Sequence, residues 1–133
     1  MEPLKQYTIP FVGLKAGKHS FTYHIEDKFF ENFKYDDFQS IDCIVDLMLI
    51  KKSTWIELYF KTKGSAILNC DLTNEPYKEE LNNELKLIVK FGETYNDDIE
   101  DILILPHAEY QLNVAQYIYE VIVLALPTKR IHP

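Results

Sequence analysis

The chain has 133 residues, 47% hydrophobic and 14% aromatic, and its 21 Asp and Glu against 14 Lys and Arg give a net charge of −7. A chain of this mass buries about two-thirds of an extended surface of roughly 23,000 Å², leaving about 7,300 Å² exposed, so a core forms without staples and whole-chain disorder is excluded. The acidic balance disfavours broad nonspecific nucleic-acid binding and fits a basic protein partner better, though a local basic patch remains compatible with it.

Tyr7 to Val12 is a short β-prone segment, with Pro10 pointing to an edge position. In the next strand Phe21, Tyr23 and Ile25 share one face and Thr22, His24 and Glu26 the other. Asp27 is placed to cap a short helix carrying Phe29, Phe30 and Phe33 at helical spacing. From Ser40 the alternation is clean: Ile41, Cys43, Val45, Leu47 and Leu49 fall on one face, Asp42, Ile44, Asp46, Met48 and Ile50 on the other. After a polar turn at Lys51-Lys52-Ser53, the return strand sets Ile56, Leu58 and Phe60 opposite Trp55, Glu57, Tyr59 and Lys61. The pair predicts a long, half-solvated hairpin.

Gly64 breaks the pattern and marks a bulge or turn before Ala66 to Cys70. Asp71 to Glu80 reads as a loop, and Leu85, Leu87, Val89 and Phe91 as another alternating strand. Glu93 to Asp101 holds Glu93, Asp97, Asp98, Glu100 and Asp101 with no basic residue, either a solvated loop or a docking site for a basic partner. Ile102 to Leu105 is a short strand stopped by Pro106. Asn113 and Gln116 then stand at capping-box spacing. Val114 to Leu126 is almost wholly apolar, with Gln116 and Glu120 its polar stripe, and predicts a helix clamped on the sheet and ended by Pro127.

Chemistry-bearing patterns are few. Gly13-Leu-Lys-Ala-Gly17-Lys18-His19 lacks one spacer of a phosphate-binding loop, and His19 replaces its Ser or Thr, so it reads as a turn. His19 and His24, five apart on a strand, point to opposite faces. Cys43 belongs to the core, whereas Cys70 borders a loop; two thiols make no disulfide framework. Trp55 and Tyr59 share a face with Lys61 and Lys63, a surface that suits either RNA bases and phosphates or plain solvation of a half-exposed strand. The opening residues lack a signal-peptide pattern, and Tyr117 to Pro127 falls short of the ~20 residues that span a bilayer, so the expected compartment is the cytoplasm.

Tyr7 to Lys15, Cys70 with Glu75-Pro76-Tyr77, and Asn113 to Pro127 are three segments that together resemble the bacterial YceD family, associated with accumulation of large-subunit ribosomal RNA. Tyr7-Thr8-Ile9-Pro10-Phe11-Val12-Gly13-Leu14-Lys15 resembles the opening strand of shorter members. Asn113 to Glu120 with Leu124-Ala125-Leu126-Pro127 resembles the terminal helix, and Lys129, Arg130 and His132 match the tail that follows it. Many members carry Cys-x-Arg-Cys and then Leu-Glu-aromatic; here Cys70 and Glu75-Pro76-Tyr77 persist, but Leu72 and Thr73 replace the Arg and second Cys. No zinc is expected, since one thiolate cannot hold it, and no other cofactor.

The expectation is therefore a single α+β domain, residues 1–133, mainly antiparallel, with a curved sheet or partial barrel and a buried C-terminal helix. The resemblance implies a non-enzymatic accessory factor in ribosome biogenesis that supports accumulation or processing of large-subunit (23S) RNA. Its partner is precursor RNA or a ribosomal or processing protein, with neither DNA nor membrane involved. Partner-binding candidates are Trp55, Tyr59, Lys61, Lys63, Cys70, Glu75, Pro76, Tyr77, Lys129, Arg130 and His132. The rivals are a small-ligand β-barrel using Tyr23, Trp55 and Tyr59, and an enzyme built on Cys70 and a histidine.

Overall fold

Period-two alternation makes a strand bury one face and wet the other. In the computed structural model, which describes residues 5–97, 99, 101–127 and 129–130, that pattern governs the architecture. The chain runs β1 (Thr8–Ile9), β2 (Gly17–Glu26), α1 (Asp27–Glu31), β3 (Ser40–Lys51), β4 (Trp55–Asn69), β5 (Pro76–Gly92), β6 (Ile102–Pro106), β7 (Leu112–Asn113) and α2 (Ala115–Val123). Strands β2 to β6 lie side by side in chain order, and β1 pairs separately with β7. The five-stranded sheet is open, with β2 and β6 at its ends.

The β3–β4 hairpin forms as expected, with Ile41, Cys43, Val45, Leu47 and Leu49 against Ile56, Leu58 and Phe60 in the core. Gly64 makes neither bulge nor turn. It pairs with Cys43 and Leu81 inside an unbroken register, and a Cβ there would lie 2.2 Å from the Asp42 carbonyl oxygen. Its role is close approach of two backbones. Lys51 is not a solvated turn residue either, for its Nζ donates to the carbonyls of Phe11 (2.8 Å) and Leu14 (2.7 Å). Just after Leu14 the glycine-bearing segment turns into β2 at Gly17, whose φ of +118° favours glycine.

The segment 71–80 is a loop only as far as Glu75, where a tight connection returns the chain into β5. Asn74 takes the left-handed conformation there (φ 60°), and its N–H donates to the Cys70 carbonyl at 2.7 Å. Strand β6 departs from the antiparallel expectation, since it pairs parallel with β5, Ile88 opposite Ile102, making the sheet mixed. The chain between them passes along the far edge of β6, where Asn96 and Ile104 exchange two backbone hydrogen bonds.

Helix α1 starts one residue after Glu26, and Asp27 does not cap it; its carboxylate accepts the Ile41 N–H at 2.7 Å and ties the helix to β3. Helix α2 is shorter than the apolar run that predicts it, with Leu124 to Leu126 forming a turn. Asn113 Oδ1 accepts the Ala115 N–H at 2.9 Å, a bond two residues on that steers the chain into the helix. It is not the expected capping box: the N-cap is Val114, which has no side-chain cap bond. The helix lies on β4 and β5, burying Ala115, Ile118, Val121 and Ile122. Tyr119 stacks on Phe33 (4.3 Å, 12°) and lies near Phe30 and Tyr35, joining α2 to the α1 region. The core thus occupies one sheet face, and among the described residues β2–β5 leave the other bare.

Candidate functional site

The bare face carries the predicted aromatic and lysine positions together. Trp55, Tyr59, Lys61 and Lys63 all point outward from β4, as their parity requires. Glu57 sits between the two rings and accepts from Trp55 Nε1 at 2.9 Å and Tyr59 Oη at 2.7 Å. These two bonds hold its carboxyl below the ordinary range. Lys86 lies 5.3 Å from the Tyr59 ring centroid. An open trough of ≈ 690 Å³ crosses the face from Ser20 and Thr22 to Glu84 and Lys86.

Charge decides what this face can attract. On β2–β5 the outward positions hold six lysines (18, 61, 63, 78, 86, 90) and six carboxylates (Glu26, Asp42, Asp46, Glu57, Glu80, Glu84). A phosphate backbone laid on it meets both signs in equal number, so the face lacks the surplus that drives nucleic-acid binding. Nor do Tyr23, Trp55 and Tyr59 line a common pocket. Tyr23 lies on the core side, 5.2 Å from the Tyr7 ring, opposite the other two.

The candidates around Cys70 divide between surface and interior. Glu75 and Pro76 are exposed, while Cys70 and Tyr77 are buried, each 4% accessible, and present little to a partner. Arg130 is largely buried and already engaged: its side chain holds the Asp37 carbonyl at 2.6 Å, the Asp37 carboxylate at 3.1 Å and the Pro127 carbonyl at 3.3 Å. Its backbone exchanges bonds with Asp71 (2.6 and 2.8 Å). It pins the tail and is not an open cationic contact. Lys129 is exposed, and His132 lies outside the described residues.

Two features escaped sequence reasoning. His24, on the bare face, sets Nε2 2.6 Å from Asp42 and Nδ1 3.7 Å from Glu26, and the Asp42 hydrogen bond chiefly raises its pKa. Only the β2–β3 register reveals that grouping. The second is a cleft of ≈ 610 Å³ on the core side, between α2 and the chain at Tyr95, Asp97, Ile99 and Asp101. Leu85, Leu87 and Leu103 form its base, Asp97 and Asp101 one wall, and Gln116 and Glu120 the other.

Residues 58–133 match the family model described as large ribosomal RNA subunit accumulation protein YceD. The chain belongs to the YceD family. The matched residues run from within β4 to the chain's end, and so include most of β4, all of β5 and β6, and α2. The likeness of Tyr7 to Lys15 falls before them. No curated protein and no solved structure matches. In this YceD chain the two departures from the Cys-rich pattern, Leu72 and Thr73, stand exposed on the β4–β5 turn, with Leu72 76% accessible. No helix among the described residues is long and apolar enough to cross a membrane.

Proposed function

We propose that this YceD protein is an accessory factor that supports accumulation of large-subunit ribosomal RNA in the cytoplasm by binding a partner and without catalysing a reaction. The observation that carries the reading is the family match, because its residues build both the centre of the sheet and the helix that walls the acidic cleft. Two further features favour binding over catalysis. Both thiols are buried, and burial pushes the Cys43 thiol up to about 11, far from a thiolate at neutral pH. The balanced bare face and the net charge of −7 favour a protein partner over bare RNA.

Affinity-tagged full-length protein recovered from cells at low and moderate salt should bring down large-subunit precursor RNA or its proteins. Depletion should lower large-subunit RNA relative to small-subunit RNA. Recovery of no ribosomal component, with an unchanged RNA ratio, overturns the reading.

A further inference from the structure

We propose that the cleft between α2 and the chain at Tyr95, Asp97, Ile99 and Asp101 is a docking groove for a basic, leucine-bearing segment of a protein partner. This deepens the binding role proposed above and rests on it. Three large apolar side chains stand out from the groove's rim: Tyr95 (57% accessible), Ile99 (52%) and Leu124 (71%). Such side chains gathered around an apolar base are the anchor half of a recognition site.

The charge half comes from opposite walls. Asp97 and Asp101 stand across from Glu120, and among the described residues no lysine or arginine lines the groove. Tyr95 Oη donates to Asp97 at 3.1 Å, orienting one carboxylate at the rim. Burial pushes the Tyr117 hydroxyl up to about 12, with Tyr95, Glu120 and Asp97 adding to the rise. The local field is therefore negative over a partly desolvated surface, where a cation gains more than it does in open water.

Other occupants fit worse. RNA would bring phosphates against carboxylates on both sides. A second copy docked through the same patch about a two-fold axis would face its own acidic rim. A strand or helix that alternates Arg or Lys with Leu satisfies both the walls and the base.

The test uses full-length protein and a fluorescein-labelled peptide of alternating Arg and Leu, with an Arg-Ser peptide and a single-stranded RNA of equal length as controls. Anisotropy should give tightest binding for the Arg-Leu peptide, and amide shifts should cluster at the groove. Asp97→Lys with Asp101→Lys should weaken binding by about tenfold or more. Leu124→Ser, at an exposed site that folding tolerates, should weaken the Arg-Leu peptide and spare the Arg-Ser one. Lys61→Glu with Lys63→Glu on the bare face should not weaken either. Shifts confined to the bare face, tighter capture of the RNA, a groove-mediated dimer, or equal affinity in the Leu124 variant would each overturn the proposal. If tagged wild type and the charge-reversed variant recover the same ribosomal components and the peptide shows no groove dependence, the groove falls while the role stands. If the peptide docks here but wild type recovers none, the groove stands as a peptide site and the ribosomal role falls.

Discussion

The Arg130 side chain grips Asp37 at two points, donating to its carbonyl at 2.6 Å and meeting its carboxylate at 3.1 Å. The same residue's backbone is locked to Asp71 on the β4–β5 turn, so one arginine ties the tail to two separate parts of the chain. Because its side chain is only 12% accessible, truncation removes packing as well as charge. Arg130→Ala should cost about 1–2 kcal/mol, discounted because Asp37 is exposed. Urea denaturation measures this, and peptide binding at the acidic groove should be unaffected. An unchanged midpoint together with weaker partner recovery would return Arg130 to the role of a direct contact.

Gly64 is irreplaceable for a different reason. The atoms that a side chain would meet are backbone, the Asp42 oxygen at 2.2 Å and the Cys43 Cα at 2.6 Å, and neither can rotate away. Gly64→Ala must part β3 from β4 at the centre of the sheet, and should cost about 3 kcal/mol or more. Thermal unfolding reads the result directly; a midpoint equal to wild type would mean that the hairpin opens freely.

Gly64 also shows where the sequence stops being legible. A glycine in an alternating run is consistent with a bulge, a turn or a tight approach, and only the facing backbone selects among them. The β3–β4 hairpin was readable because core-facing positions from Ile41 to Leu49 are all apolar. The first half of β5 was not, because its core-facing positions include Glu79 and Asn83. Asn83 is satisfied there by donating to the Val121 carbonyl near the end of α2 at 3.1 Å, a partner remote in sequence. The parallel direction of β6 is likewise invisible, since alternation carries no sign. For the candidate site, parity correctly grouped Trp55, Tyr59, Lys61 and Lys63. The groove remained hidden because it joins the acidic segment to a helix wall through tertiary packing.

The thiols provide a check on the enzymatic rival. Cys43 and Cys70 are 1% and 4% accessible. Ellman's reagent should therefore titrate neither at neutral pH in the native state, and both after addition of denaturant. Rapid native-state reaction of Cys70 would reopen a nucleophilic role for it.

Helix α2 is anchored by side chains that are fully buried, Ile118 and Val121 among them. Ile118→Ala removes apolar contact and leaves a cavity over β4 and β5, at a cost of about 2–4 kcal/mol. Since α2 forms one wall of the groove, the loss should also appear as weaker Arg-Leu peptide binding when temperature is raised toward the variant's midpoint. A variant as stable as wild type would mean that the sheet does not depend on this helix.

His24 makes stability depend on pH even though it lies at the surface. Its hydrogen bond to Asp42 at 2.6 Å, with the nearby charges of Asp42 and Glu26, outweighs desolvation and raises the imidazole pKa above 6.5. A group whose pKa is higher folded than unfolded binds protons more readily in the native state, so its stabilising contribution is complete below about pH 6.5. That contribution fades as pH rises through the folded value, the reverse of the usual carboxylate case. Proton NMR of the His24 ring should give a midpoint above that of an exposed histidine, and Asp42→Asn should lower it. A midpoint indifferent to Asp42→Asn would show that the imidazole is not held by that carboxylate in solution.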